Sequence, residues 1–104
     1  MQRMRPPTKF EAVIDRKRYN VETATLLAGD DHWDGHNFER SGRNTWLYRT
    51  PKGSYFRVTL SRWQGERDGL VPLSLDDAIS TFETMAEHRV EYAEAFPGVT
   101  VSEA

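Results

Sequence analysis

The segment TWLYRTPKGSYFRVTLSRW, Thr45 to Trp63, constrains the fold more than any other part of the chain. It is rich in aromatic and β-branched residues, which favour strands, and it is interrupted once, at Thr50-Pro51-Lys52-Gly53. Pro51 presets φ for a turn, and Gly53 suits the left-handed conformation that closes a three-residue loop. The segment therefore predicts a β-hairpin with this turn at its tip.

The turn also predicts the register of the hairpin, with Arg49 paired to Tyr55. Tyr48 then lies opposite Phe56, and the pairs that follow keep the bulky side chains on one face. That aromatic face consists of Trp46, Tyr48, Phe56, Val58 and Leu60. The other face consists of Leu47, Arg49, Tyr55, Arg57, Thr59 and Ser61. We expect the aromatic face to be the core of the sheet.

The residues before this hairpin predict a second, shorter one. Phe10 to Ile14 forms its first strand, and Arg18-Tyr19 returns after a turn around Asp15 to Lys17. Asn20 is a good helix N-cap, so a short helix is expected from Val21 to Ala28, ended by Gly29. An edge strand is predicted at residues 37–40.

The C-terminal part predicts an amphipathic helix after a short strand, Leu70 to Leu73, which Pro72 assigns to a sheet edge. Ser74 is the expected N-cap, with Asp77 three residues later. One apolar face follows from the spacing of Leu75, Ala78, Ile79, Phe82, Met85 and Ala86. The helix is expected to cover the aromatic face of the hairpin and to continue loosely to Phe96, where Pro97-Gly98 stops it.

These elements predict an α+β fold: a small antiparallel sheet of two hairpins and a short edge strand, one short helix, and a C-terminal amphipathic helix packed on one face. A chain of 104 residues with 38% hydrophobic content fits one domain. We assign residues 10–98 to it, residues 1–9 to a flexible tail and residues 99–104 to a frayed end.

Composition bounds the location and the chemistry. The chain has no cysteine, which excludes disulfides and thiolate chemistry and fits a reducing cytoplasm. The N-terminus lacks the apolar run of a signal peptide, and no segment approaches the length of a membrane span. A soluble, cytoplasmic protein without a cofactor is expected.

The motifs IDRKRYNVETA (14–24), LYRTPKGSYF (47–56) and PLSLDDA (72–78) together resemble a family of small, uncharacterised bacterial and phage-associated proteins. The resemblance extends from Ile14 to Phe96, and the hairpin motif is its most specific part. Arg16 stands where the family commonly has glycine, so a different type of first turn is expected. The resemblance implies a fold and carriage on a mobile element, and it carries over no catalytic residue.

The stretch DDHWDGH, residues 30–36, contains the candidate metal ligands His32, Asp34 and His36. The two histidines would share one face of a helix, but Gly35 and the crowded aspartates disfavour a helix there. Asp34-Gly35 is instead a turn signal. A polar loop is the preferred interpretation, and a metal-dependent enzyme is the weaker alternative.

The best candidate binding surface is the outward face of the central hairpin with its flanks: Arg49, Tyr55, Arg57, Lys52, Arg43 and Arg62. Residues 38–67 carry seven basic and two acidic side chains, whereas residues 68–104 carry one basic and eight acidic. Arginine with aromatic residues suits a protein interface or a nucleic-acid backbone. Neutralisation of the basic sheet by an acidic C-terminal part that packs near it is the preferred explanation of the asymmetry over nucleic-acid binding.

No motif for nucleophilic, acid/base or phosphate-loop chemistry is present, so the chain is expected not to be an enzyme. We predict a small binding or regulatory protein that acts through a protein partner, with inhibition of a host defence complex as one role. The alternative is a nucleic-acid-binding accessory protein, which a pI of about 5.9 disfavours. No membrane partner is expected, and the protein is a monomer or a homodimer paired through an edge strand.

Overall fold

The computed structural model describes residues 7, 9–29, 43–61, 69–85 and 87–103, with residues 43, 44 and 61 described by backbone only. The elements in chain order are β1 (Glu11–Ile14), β2 (Lys17–Asn20), β3 (Thr25–Gly29), β4 (Arg43–Arg49), β5 (Tyr55–Ser61), β6 (Gly69–Leu73), α1 (Leu75–Thr84), β7 (Glu87–His88) and α2 (Tyr92–Ala95). The predicted α+β class is confirmed. Neither described helix is long and apolar enough to cross a membrane.

The strands form two antiparallel sheets. β1 and β2 form a two-stranded hairpin, and the larger sheet has the strand order β6-β5-β4-β3-β7. β6 lies at the edge of the larger sheet in the described part of the chain, as Pro72 predicts. The predicted edge strand at residues 37–40 lies outside the described residues.

The central hairpin has the predicted register. Arg49 pairs with Tyr55, and Tyr48 pairs with Phe56. Thr50 N donates to Ser54 O at 2.7 Å, which leaves a three-residue loop, and Gly53 within it has φ +90°. Proline and glycine in this loop therefore fix which side chains share a face of the sheet.

The first hairpin turns through two residues that both have left-handed backbone conformations. Asp15 has φ +53° and Arg16 has φ +65°, and Ile14 pairs with Lys17 on either side of them. Positive φ at both loop residues gives a two-residue turn whose backbone twist matches the right-handed twist of the flanking strands. Aspartate tolerates this conformation, whereas arginine adopts it at a cost.

The prediction of a helix from Val21 to Ala28 is wrong, because only one turn forms there and β3 follows. Asn20 does cap that turn: its Oδ1 accepts from Glu22 N at 2.9 Å. β3 then pairs with β4 and is covered on both faces, with Leu26 against one core and Leu27 in the other. A strand next to β4 places one leucine in each of the two cores. A short, threonine-rich helix is weak and cannot reach both cores.

The sheet has a separate core on each face. The hairpin-side core contains Tyr19, Val21, Trp46, Tyr48, Phe56 and Val58. The helix-side core contains Leu27, Ala28, Leu47, Tyr55, Ala78, Phe82, Met85, Ala95 and Phe96. The prediction that the C-terminal helix covers the aromatic face is therefore wrong. The β1–β2 hairpin supplies residues to that side, and α1 packs on the opposite face against Leu47 and Tyr55, because both faces are apolar enough to need a cover.

The C-terminal helix begins as predicted, with Ser74 Oγ accepting from Asp77 N at 3.1 Å. It ends at Thr84 and does not continue to Phe96. The chain becomes extended instead, β7 pairs with β3, and Arg89 N donates to Leu27 O at 2.9 Å. The backbone groups of β3 thus obtain hydrogen-bond partners, which a continued α1 would not supply.

Replacing Phe56 by alanine tests the hairpin-side core. Phe56 is fully buried, stacks on Tyr48 with 5.2 Å between ring centroids, and meets the edge of Tyr19 at 5.6 Å. We expect Phe56→Ala to lower the free energy of unfolding by about 3–5 kcal/mol, measured by chemical denaturation. Val13→Ala is the control, since Val13 is 63% exposed and its loss should change stability by less than about 0.5 kcal/mol. Equal effects would contradict this packing.

Candidate functional site

The predicted binding surface on the outward hairpin face is not one exposed surface. Tyr55 is 8% exposed, belongs to the helix-side core, and its hydroxyl donates to Ala95 O at 2.8 Å. Arg49 is half-buried, and its Nη1 donates to Glu94 O at 2.9 Å. The prediction that Tyr55 is an outward contact residue is wrong, because the C-terminal elements cover this end of the face.

The other predicted residues are separated from one another. Arg57 is half-buried, and its Nε is buried without a hydrogen-bond partner in the described part of the chain. Lys52 is exposed at the tip of the hairpin. The side chain of Arg43 and the whole of Arg62 lie outside the described residues. Lys52 is therefore the predicted residue that is placed on an open surface.

The candidate metal ligands His32, Asp34 and His36 also lie outside the described residues, so their arrangement stays a prediction. Within residues 7, 9–29, 43–61, 69–85 and 87–103, no group of three histidine, aspartate or glutamate side chains could hold a metal ion. The third histidine, His88, is on β7. Its Nε2 lies 2.6 Å from Phe82 O, and its ring stacks on Phe82 with 3.9 Å between centroids.

A basic cleft of about 560 Å³, the two-turn cleft, lies between the tips of the two hairpins. One wall comes from the first hairpin and the turn after it: Arg16, Lys17, Arg18, Tyr19 and Thr23. The other wall comes from the loop between β4 and β5: Thr50, Pro51, Lys52 and Ser54. Its residues combine cationic side chains with hydroxyl groups, and none of the described residues that line it is acidic.

The fold explains why the two tips meet. Tyr19 of β2 packs on Phe56 of β5, which holds the first hairpin on the larger sheet. The turn after Asn20 leads into β3, which begins at Thr25 opposite Arg49, at the tip end of the central hairpin. Thr23 therefore enters beside the loop that carries Lys52. The existence of the cleft therefore depends on the packing of Tyr19 against Phe56 in the hairpin-side core.

The charges of the cleft are largely uncompensated. Arg16, Lys17 and Lys52 are exposed, and none of them forms an ion pair with another described residue. Arg18 Nε lies 3.9 Å from Glu11 Oε2, and both side chains are mostly exposed. Such a solvent-exposed pair contributes at most about 1 kcal/mol. The cleft therefore concentrates positive charge on a protein whose formal net charge is −2.

Two hydroxyl groups of the second wall can donate to a ligand. Thr50 Oγ1 accepts from Ser54 N at 3.0 Å, so its own O–H remains available as a donor. The Ser54 hydroxyl forms no hydrogen bond with the residues that the structure describes. Thr23 differs, because its hydroxyl already donates to Asn20 O at 3.3 Å. The arrangement suits an anion that accepts hydrogen bonds from both walls.

A second groove, of about 540 Å³, lies beside α2 and is lined by Phe82, His88, Arg89, Glu91, Tyr92 and Glu94 among others. Two of its polar side chains are already paired: Arg89 Nη2 is 3.3 Å from Glu87 Oε2, and Tyr92 donates to Glu83 Oε2 at 3.3 Å. Desolvation and then the Glu83 carboxylate raise the pKa of Tyr92 above its usual value, so the phenol stays protonated at neutral pH. This groove is the weaker candidate.

No family model, curated protein or solved structure matches the chain. The resemblance to small bacterial and phage-associated proteins therefore stays a prediction.

The sequence predicted the turn that carries Lys52, but it did not predict that Arg16, Lys17 and Arg18 would lie across from it. The signal for these residues was a run of three cations at a hairpin turn. That run indicates an exposed tip. Only the packing of one hairpin on the other sheet shows that two such tips form one cleft.

Tyr55→Phe tests the assignment of Tyr55 to the fold. The substitution removes the hydroxyl that donates to Ala95 O and leaves that buried carbonyl without this donor. We expect the free energy of unfolding to fall by about 1–3 kcal/mol in chemical denaturation. Thr59→Val is the control, since the Thr59 hydroxyl meets only Thr45, at 3.4 Å, in a partly buried site. A Tyr55→Phe protein as stable as the wild type would contradict the assignment.

Arg16→Gly tests the backbone conformation of the first turn. A left-handed conformation costs a residue other than glycine about 1–2 kcal/mol, and the extra chain entropy of glycine offsets about 0.5–1 kcal/mol of the gain. We therefore expect Arg16→Gly to raise the free energy of unfolding by about 0.5–1 kcal/mol, measured by chemical denaturation. Asp15→Gly is the matched control and should gain less, because aspartate tolerates this conformation. A less stable Arg16→Gly protein would show that the arginine side chain supports the fold.

Proposed function

We propose that this protein is a small non-catalytic binding protein that acts by contact with a protein partner, and that an acidic segment of the partner enters the two-turn cleft. One observation carries the proposal: Arg16, Lys17 and Lys52, from two separate turns, line one cleft without ion-pair partners among the described residues. Unpaired cations that converge on a concave site favour an anionic ligand.

The charge of the rest of the molecule favours a short acidic segment over a long polyanion. Seven described acidic residues follow Leu75, namely Asp76, Asp77, Glu83, Glu87, Glu91, Glu94 and Glu103. The pI is about 5.9, whereas nucleic-acid-binding domains usually exceed about 9. A cleft of about 560 Å³ accommodates a few side chains of a partner, and the net negative charge of the protein disfavours a long polyanion.

The biological role that we propose is regulation by occupancy. A protein that supplies no chemistry of its own changes its partner's activity by covering a surface of that partner. This suits an inhibitor directed at a host defence complex; the resemblance of the three motifs supports carriage on a mobile element, which is the setting for such a role. A cysteine-free sequence supports the cytoplasm as the location.

Lys52→Ala tests the proposal with a fluorescein-labelled peptide of consecutive glutamates as the probe. We expect the wild-type protein to bind this peptide, with affinity that falls as salt rises, because the contacts are between exposed charges. Lys52→Ala should raise Kd about two- to fivefold, as loss of one exposed charge contact does. Fluorescence anisotropy at two salt concentrations measures both effects.

Lys9→Ala is the matched control for the Lys52 test. It removes the same charge from an exposed residue that does not line the cleft, so Kd should stay at the wild-type value. Equal weakening by both substitutions would mean that only the general charge matters, and the proposed site would be wrong.

The nucleic-acid alternative uses the same cations and is tested in the same assay. Single- and double-stranded oligonucleotides replace the peptide, and each phosphate contact adds about one unit to the slope of log affinity against log salt. Tighter binding of an oligonucleotide than of the glutamate peptide, lost in Lys52→Ala, would replace the proposed partner with a nucleic acid.

A further inference from the structure

We infer that the group bound in the two-turn cleft is a phosphoryl group on a side chain of the protein partner. The inference rests on the proposed function, because it names the chemical group that the same cleft recognises. Three properties of the cleft favour a phosphate monoester over the carboxylate of aspartate or glutamate: its donors belong to two separate elements, its positive charge is largely unpaired, and Arg16 supplies a guanidinium group.

The donors of the cleft come from two separate elements of the fold. Arg16 and Lys17 belong to the first hairpin, whereas Lys52, Thr50 and Ser54 belong to the loop of the central hairpin. A carboxylate has two oxygens, and the donors of one wall can occupy both of them. A phosphate monoester presents three terminal oxygens in a tetrahedral arrangement and can accept from both walls at once.

The charge of the cleft also matches a phosphate better. A phosphate monoester carries about −1.5 to −2 charges at neutral pH, whereas a carboxylate carries one. Three cations of the cleft have no ion-pair partner in the described ranges. A single carboxylate leaves most of this positive charge uncompensated, and a phosphate neutralises about twice as much of it.

Arg16 gives the first wall a fork of donors at the tip of a turn. A guanidinium binds two oxygens of a carboxylate or of a phosphate in parallel, which a lysine ammonium cannot do, and only the phosphate then keeps a third terminal oxygen for the second wall. The left-handed backbone at Arg16 suits glycine, asparagine or aspartate better than arginine, so the backbone conformation gives no reason for an arginine there. We assign Arg16 the role of distinguishing phosphate from carboxylate.

The hydroxyls of Thr50 and Ser54 complete the second wall. The Thr50 O–H is free to donate because its oxygen already accepts from Ser54 N, and this bond also fixes the position of the oxygen. Neutral hydroxyl donors add hydrogen bonds without adding charge, and an anion with three accepting oxygens can use them in addition to the cations.

The test compares two acidic peptides that differ only in the central residue, phosphoserine in one and glutamate in the other. We expect the wild-type protein to bind the phosphoserine peptide at least about tenfold more tightly in isothermal titration calorimetry. Lowering the pH from about 7.5 to about 5.5 should weaken the binding of the phosphoserine peptide more than that of the glutamate peptide, because the second phosphate pKa is about 6.

The variants locate the preference for phosphate. Arg16→Lys keeps the charge but removes the fork, and Arg16→Gly removes both while suiting the backbone. We expect the phosphoserine-to-glutamate preference to fall about threefold or more in Arg16→Lys and further in Arg16→Gly. Lys9→Ala should keep the wild-type preference, and circular dichroism checks that each variant is folded.

The outcomes separate this inference from the proposed function. Equal affinity for the two peptides, with weaker binding of both in Lys52→Ala, would overturn the inference and leave the acidic-segment proposal in place. Binding of neither peptide would overturn both. Tighter binding of an oligonucleotide, whose phosphodiesters do not titrate near pH 6, would also overturn the inference and assign the cleft to a nucleic acid.

Discussion

The burial of both faces of the central hairpin is the constraint on which the rest of the structure depends. Trp46 and Phe56 on one face and Leu47 on the other are all fully buried. A sheet with two apolar faces cannot stay open to water on either side, so each face needs its own cover. The first hairpin covers one face, and the C-terminal elements cover the other. The placement of the first hairpin and the C-terminal elements on opposite faces of the sheet meets this requirement.

Local rules of the sequence predicted the parts of the fold that depend on neighbouring residues. The Pro51-Lys52-Gly53 turn set the register, Ser74 marked the start of α1, and Pro72 marked a sheet edge. Each of these depends on a backbone requirement that one or two residue types satisfy. Their outcome is therefore independent of how distant parts of the chain pack.

The incorrect predictions all concern choices that packing decides. Leu26 and Leu27 face opposite cores, a pattern that periodicity alone cannot distinguish from a short buried helix. The docking side of α1 could not be predicted either, because Leu47 and Tyr55 made the second face apolar enough to attract it. Tyr55 was predicted to be exposed because the C-terminal helix was expected on the other face of the hairpin. Its hydroxyl instead donates to a backbone carbonyl of α2.

The candidate site was partly predictable. Lys52 stood out as an exposed cation in the loop, but the other cations of the cleft, Arg16, Lys17 and Arg18, are more than thirty residues earlier in the chain. The contact between the two hairpin tips arises from Tyr19 packing on Phe56, an interaction between the small and the large sheet. Sequence patterns describe each tip separately, and only the tertiary structure shows that they act together.

Pro72 removes one backbone N–H from β6, the strand at one edge of the larger sheet in the described part of the chain. Proline is tolerated in a sheet where its missing N–H would have pointed to solvent, so the outer side of β6 lacks one donor. A further strand that paired with this edge would lack one backbone hydrogen bond at Pro72 and would contact the pyrrolidine ring. Proline at this position therefore disfavours the addition of a further strand to the β6 edge.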